Sequence, residues 1–281
     1  MKNRIDTPAA IPVSQLHPFE GHPYKVLDND EMNTLIESIQ TQGILSPLIV
    51  RPMENTTDEY EVVSGHRRLR AAVKAGLETV PAFIYALDRD AAAITLVDSN
   101  LHREHILPSE KAFAYKLKME ALNHQGITCG QVGHKSRDNI SETESGRTVQ
   151  RYIRLTRLIP ELLSYMDTGK MALSVGVELS YLSDPCQRDL LELCEANDCT
   201  PSYSQAFRLK NLYRAGQLTK ESLSDIMSEE KANQREKVSF PMKDLRRFFP
   251  ADYTPQEIQR TILQLLENER QRQQRCRNDA R

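Results

Sequence analysis

Tyr60-Glu61-Val62-Val63-Ser64-Gly65-His66-Arg67-Arg68-Leu69-Arg70-Ala71-Ala72 decides the fold. It opens with aromatic and β-branched residues of strand type. From Arg67 to Ala75 it continues with good helix formers, which stop at Gly76. The order is strand, tight turn, helix. A turn of this kind leaves the N–H groups of the helix's first turn without intrahelical partners, aimed at whatever lies above it. Gly65 permits close backbone approach or a positive φ, and Arg67 and Arg68 add charge with a geometry suited to phosphate oxygens. Arg70 stands on the same turn as Arg67. A basic first turn is also an ordinary solvated face, so the segment gains meaning only from its surroundings.

Upstream, a short apolar run at residues 11–13 and a Pro-rich loop through Pro18 and Pro23 lead to a predicted helix. Asp28 or Asn29 can cap that helix, Met32, Leu35, Ile36 and Ile39 give it an apolar face, and Gly43 ends it. Residues 48–50 and 80–85 read as further strands, so the first third is α/β. From Ala91 onward strand signals nearly vanish. Residues 91–103 and 109–123 read as helices, with Pro108 at a helix start. Residues 133–146 are polar without an apolar period. Helical patterns resume at Arg147, broken at Pro160, Gly169, Pro185, Pro201 and Gly216. The fold class expected is therefore an α/β domain over 10–90, a helical domain over 91–227 and, after a charged linker, a small helical C-terminal unit over 238–275.

At 281 residues with 39% hydrophobic content, the chain can bury two or three modest cores. No apolar run reaches the roughly 20 residues that cross a bilayer, and residues 1–10 lack a secretory pattern, so a cytoplasmic location without membrane partners is expected. The five cysteines form no Cys-x-x-Cys pair and read as reduced thiols. A net charge of -2 excludes a uniformly basic coat, so nucleic-acid contact must come from a local arginine patch.

A second polar segment, Ser99-Asn100-Leu101-His102-Arg103-Glu104, closes one helix before Pro108-Ser109-Glu110-Lys111-Ala112 opens the next. His102 and His105 are three apart with no third ligand of useful spacing, so no metal site is assigned to them. The run Gly65-His66-Arg67-Arg68-Leu69-Arg70-Ala71-Ala72 resembles the Gly-Glu-Arg-Arg-x-Arg-Ala motif of the ParB family. Ser38-Ile39 with Gly43-Ile44-Leu45-Ser46-Pro47-Leu48-Ile49-Val50-Arg51 resembles that family's preceding segment, and the two downstream stretches resemble its Glu-Asn-x-x-Arg-Glu and Pro-x-Glu-Glu-Ala stretch.

The resemblance covers about residues 10–125 and extends loosely to 185. It implies a CTP-binding N-terminal domain and a helix-turn-helix domain that reads a short palindromic site on double-stranded DNA. It further implies a homodimer that CTP closes around DNA, a ParA-type ATPase partner, and a nucleoid-associated protein that segregates a plasmid, chromosome or mobile element. Gly65, His66, Arg67, Arg68, Ser99, Asn100 and Arg103 then become the nucleotide site. His66 replaces the family's usual Glu, and Ser99 replaces the Glu that helps place Mg2+; a serine hydroxyl is a much weaker ligand than a carboxylate. A nucleotide-gated binder is therefore expected ahead of a CTPase, and no catalytic residue is assigned. Lys25 is the stand-in for an arginine of the family's Pro-x-Gln-Pro-Arg loop. Alternatives are a transcription regulator of the same fold without a partition role and, further off, a nuclease.

Residues 147–158 contain no acid. At about 100° per residue, Arg147, Arg151, Arg154 and Arg157 share one sector, with Val149, Tyr152 and Ile153 opposite. Ser145 or Gly146 can cap this helix. Arg147, Thr148, Gln150 and Arg151 would then meet base edges, and Arg154 and Arg157 phosphates. The helix that should precede it lies in residues 127–135 and is poorly patterned, and residues 136–144 enlarge the turn. At the other end, Thr254, Pro255 and Glu257 form a capping box for a helix whose face of Ile258, Ile262, Leu265 and Leu266 suits either a dimer seam or local packing. The tail from Arg270 to Arg281 carries five arginines and one acid, enough for added phosphate contacts.

Overall fold

The computed structural model describes residues 7–54, 56, 58–101, 103, 105–124, 144–229, 245–250 and 253–279. Five short strands form one mixed sheet: β1 (Ala9–Pro12), β2 (Leu16–Pro18), β3 (Leu48–Pro52), β4 (Tyr60–Ser64) and β5 (Thr79–Ile84), in the order β1-β5-β3-β4-β2. The antiparallel β3–β4 hairpin sits at its centre, with Arg51 opposite Glu61. These two side chains make a buried ion pair at 2.7 Å, and the second Glu61 oxygen accepts from Glu20 N at 2.9 Å. A charge pair taken out of water needs such extra hydrogen bonds. Here they fix where the loop after β2 leaves the sheet.

Successive strand residues face opposite sides of a sheet, and both sides here are covered. Val62 packs with Leu48, Val50, Val80 and Ala82 beneath α2 (His66–Ala75), which contributes Ala72; α1 (Asp30–Gln42) then packs on α2 through Met32, Ile39 and Ala71. Val63 faces the other way, into a core with Phe19, Tyr24, Leu96, Val97 and Ala114 from the loop, α3 (Arg89–Leu101) and α4 (Pro108–His124). The switch from α/β to all-α elements near residue 90 is thus a change of element type within one packed body. Asn29, of the two candidate caps, is the one used: its side chain accepts from Met32 N, and Gly43 closes α1 at φ 69°.

Beyond α4 come α5 (Gly146–Leu155), α6 (Pro160–Asp167), α7 (Leu173–Leu179), α8 (Asp184–Ala196), α9 (Tyr203–Arg214) and α10 (Lys220–Ser228). The prolines open helices α6 and α8, and Gly169 and Gly216 follow the ends of α6 and α9. Leu155, Leu162, Leu179, Leu190, Leu209 and Leu223 share a single core through these six helices. The fully buried Gln187 clasps the α5–α6 turn, accepting from Ile159 N and donating to the carbonyls of Arg157 and Leu182 at 2.9–3.0 Å.

Residues 1–229 form one compact unit and 230–281 another. In the second unit, α11 (Pro255–Asp279) begins at the expected capping box, with Thr254 N donating to Glu257 Oε2 at 2.7 Å and Glu257 N to Thr254 Oγ1 at 3.3 Å. Ile258 is buried, while Leu265 and Leu266 are exposed.

Candidate functional site

β4 ends at Ser64, and Gly65 turns the chain at φ 105°, ψ 25° into α2. A side chain here is disfavoured twice over. L residues rarely adopt that φ, and a Cβ would lie 3.1 Å from both Leu48 Cγ and Arg68 Nη2. No side chain caps α2, so its first-turn amides remain available to an anion. Above them opens a small cleft lined by Gly65, His66, Arg67, Asn100 and Arg103, with His22, Tyr24, Lys25 and Val26 of the loop after β2. Sequence segments around residues 24, 66 and 100 thus meet at one place.

Each wall is held differently. His66 accepts a hydrogen bond from Phe19 N through Nε2 at 3.3 Å, which puts the proton of the neutral ring on Nδ1, and its ring lies on His22 with centroids 3.7 Å apart. Burial, then the neighbouring His22 and Arg103, push the His66 pKa down to about 3. Burial likewise lowers that of His22. Both imidazoles are therefore neutral near pH 7. A neutral histidine still supplies the acceptor that the Phe19 amide needs. Tyr24, buried beneath Arg103, has its guanidinium 5.6 Å from the ring centroid.

Lys25 is tied at both ends. Its amide donates to Glu110 Oε1 of α4 at 2.8 Å, and its ammonium meets Asp167 Oδ2, the last residue of α6, at 2.9 Å. Ser109 holds the same carboxylate through its amide at 3.0 Å and its hydroxyl at 2.6 Å. Burial works against the Asp167 charge, but these hydrogen bonds win and keep its pKa below the usual carboxylate range. Arg67 reaches Glu31 of α1 at 3.0 Å. The exposed parts of Lys25 and Arg67 are the portions of the wall most able to swing toward a bound anion.

Arg68, Ser99, Asn100 and Arg70 are engaged in other ways. Arg68 does not line the cleft; its Nη1 donates to the carbonyls of Pro47, at 2.8 Å, and Ser46, so it fastens the segment before β3 to α2. Ser99 gives its hydroxyl proton to Leu96 O at 3.0 Å. Asn100, buried, spends its amide protons on Leu96 O at 2.7 Å and Ser99 Oγ at 3.2 Å, and no described residue donates to its side-chain oxygen. Arg70 turns away to Asp28, which Lys74 also holds; the hydrogen bonds from both keep the Asp28 pKa near 2. His102 and Glu104 lie outside the described residues.

Cations, two neutral imidazoles, an aromatic and helix amides suit the phosphates of a nucleotide. None of the described residues lining the cleft is a carboxylate, the protein side chain that commonly holds Mg2+.

The second candidate surface begins at α5. Ser145 is its cap, accepting from Thr148 N at 3.3 Å. Val149, Tyr152 and Ile153 pack on Tyr115 and Met119 of α4, with Tyr115 and Tyr152 edge to face at 5.8 Å. The expected apolar side is therefore the packed side. Arg147 is exposed and Arg151 half-buried, while Gln150 leans on Met119 Sδ at 3.9 Å. The helix ends at Leu155, so Arg157 sits in the next turn and not on the helical stripe. Arg154 is braced against α7's end, donating to Ser180 Oγ at 3.2 Å and Ser180 O at 3.3 Å. The helix expected at residues 127–135 and the widened turn up to residue 143 lie outside the described residues. Lys25 as a cleft wall was read only by position in a loop; its partner Asp167 and the His22–His66 stack carry no motif and went unread.

Residues 2–101 match the ParB N-terminal domain family. The chain is 31% identical over 177 residues to the chromosome-partitioning protein ParB of Caulobacter vibrioides, covering 63% of this chain and 55% of that protein. It is 36% identical over 162 residues to the chromosome-partitioning protein Spo0J of Thermus thermophilus, covering 57% and 55% respectively. The chain thus spans about half the length of these curated relatives. A solved structure of C-terminally truncated ParB from Caulobacter crescentus complexed with CTP-gamma-S shares 29% identity and a TM-score of 0.33, covering 63% of this chain and 94% of that one. No helix among the described residues is long and apolar enough to cross a membrane.

Proposed function

We propose that this chain, which belongs to the ParB family through its N-terminal domain, is a CTP-gated, sequence-specific DNA-binding protein of partition type. The observation that carries the reading is the cleft, where the uncapped start of α2, the end of α3 and the loop after β2 converge. The triphosphate would lie over the α2 amides, with Arg67, Lys25 and Arg103 as its cationic walls and the Asn100 carbonyl as an acceptor for a sugar or base donor. Mg2+, where it enters, would come with the phosphates.

α5 is the recognition helix of a helix-turn-helix in this reading, with Arg147, Thr148, Gln150 and Arg151 facing base edges of a short palindromic site. A palindrome matches a two-fold protein, so a homodimer is its natural reader, and α11 with its exposed Leu265 and Leu266 supplies a surface for pairing. Partners of the assembled protein would be a ParA-type ATPase and nucleoid DNA. The reading is supported by the chromosome-partitioning function named for the two relatives.

Calorimetric titration of the full chain with CTP, ATP, GTP and UTP tests the cleft. Saturable binding of CTP above the other three, lost in Asn100→Ala and weakened in Lys25→Ala, is expected. Equal or absent heat for all four nucleotides would reject the assignment.

A further inference from the structure

We infer that Arg214, at the end of α9, joins Arg157 in a second phosphate-binding clamp beside α5, with Tyr181 as its platform and Arg154 as its strut. The inference rests on the reading of α5 as the DNA-facing helix and extends that contact to a helix no sequence motif marks.

Tyr181, in the turn after α7, is where the two parts meet. The Arg154 guanidinium lies 3.8 Å from its ring centroid and that of Arg214 4.4 Å, so both positive groups are gathered over one ring. Arg154 is not available to a ligand in the same way, because Ser180 accepts from it twice. It serves to hold the ring. Lys210 also approaches Tyr181, at 5.5 Å, but its charge is matched by Glu178. Arg157 and Arg214 are exposed and have no ion pair among the described residues. In a chain with more acids than bases, neither guanidinium is matched by a carboxylate of the described residues.

A guanidinium lying on an aromatic face keeps the edge of its fork free, the edge that grips phosphate oxygens in pairs. Stacking also preorganises a long side chain that would otherwise lose freedom on binding. Burial lowers the Arg154 pKa, and the charges of Arg157 and Arg214 add to that against the opposing Tyr181, so both guanidiniums lie within electrostatic reach of Arg154. An anion relieves that repulsion. The spacing to α5 is built in beforehand. Leu155, Val175, Leu179 and Leu209 tie α5, α7 and α9 into one core, and Gln187 fixes the Arg157 carbonyl.

Base contacts specify and phosphate contacts position, so the clamp should act equally on every sequence. The test is binding of the full chain to a random-sequence duplex between about 50 and 200 mM KCl, for wild type, Arg214→Gln, Arg214→Lys and Arg151→Gln. Arg214→Gln should weaken binding several-fold and reduce the salt slope by about 1, while Arg214→Lys keeps the slope and loses part of the affinity. Unchanged affinity and slope in Arg214→Gln overturns the clamp; this is also the result if the cluster serves a protein partner. Arg151→Gln, a base-edge variant, is read instead by the ratio of affinities for a duplex selected for tight binding and the random duplex: a reduced ratio keeps the α5 reading whatever Arg214→Gln does, and an unchanged ratio removes Arg151 from base contact. Matching thermal midpoints for the variants establish that folding is not the cause.

Discussion

At the cleft, Lys25 and Arg67 each reach a carboxylate of another helix, Asp167 of α6 at 2.9 Å and Glu31 of α1 at 3.0 Å. On and just after α5, Arg147, Arg151 and Arg157 have no ion pair among the described residues. The difference separates two ways of binding an anion. At the cleft a phosphate must compete with protein carboxylates, and winning releases a link between the loop after β2 and the end of α6. At α5 no carboxylate among the described residues has to be displaced, so the phosphate-contact part of the affinity follows charge and ionic strength. The first arrangement is suited to a switch, the second to a permanent surface.

The largest expected effect breaks one side of this comparison only. Gly65→Val puts a branched side chain at φ 105° and into the space of Leu48 and Arg68. It should cost on the order of 1–3 kcal/mol of stability and abolish nucleotide binding, read by urea unfolding and calorimetry. Binding to random DNA through α5 should persist in the folded fraction. Next in size, Arg147→Ala combined with Arg151→Ala should lower DNA affinity by roughly 1–3 kcal/mol per specific contact, with nucleotide affinity unchanged.

His66 gives a pH test of the cleft. Its folded pKa of about 3 lies below the ordinary value of 6.5, so the unfolded chain binds the extra proton first as pH falls. Stability is therefore full above pH 6.5 and declines below it, by roughly 1 kcal/mol at pH 5.5. The urea midpoint should fall between pH 7 and 5.5, and His66→Gln should flatten that fall. A pH-independent midpoint in the wild type would contradict the buried neutral ring.

The smallest effect sharpens the switch. Asp167→Asn removes the carboxylate that holds Lys25 and should raise nucleotide affinity a few-fold, the cost of displacing an ion pair whose lysine is half exposed. Because the Asp167 pKa is depressed, its stabilising share is present above the unfolded value of about 3.9 and is lost as pH falls through its lower folded value. Acid unfolding of Asp167→Asn should accordingly begin less steeply than that of the wild type.

Local chemistry was legible in the sequence; distant pairing was not. The turn at Gly65, the Asn29 cap, the Ser145 cap and the Thr254 box each follow from a few adjacent residues, whose backbone needs decide the matter within one helical turn. β2 was read as loop, because three residues with a proline carry no period, and only its pairing with β4 makes it a strand. The cleft's motif residues were found, but not that Arg68 would be taken by the carbonyls of Ser46 and Pro47. Helical periodicity placed Arg154 and Arg157 on one stripe. The early end of α5 takes Arg157 off it, and Ser180 and Tyr181 engage the guanidinium of Arg154, which keeps its place on the helix. Lys25 and Asp167 stand 142 positions apart, and no spacing rule connects them.

Genome-wide DNA capture with the purified full chain, with and without CTP, tests the central claim most directly. A nucleotide-gated DNA binder should give sharp peaks on a palindromic sequence without CTP, and with CTP the signal should spread into flanking DNA, with Asn100→Ala confined to the peaks. The same profile in both conditions would contradict the coupling of the cleft to DNA, whatever the affinity for either ligand alone.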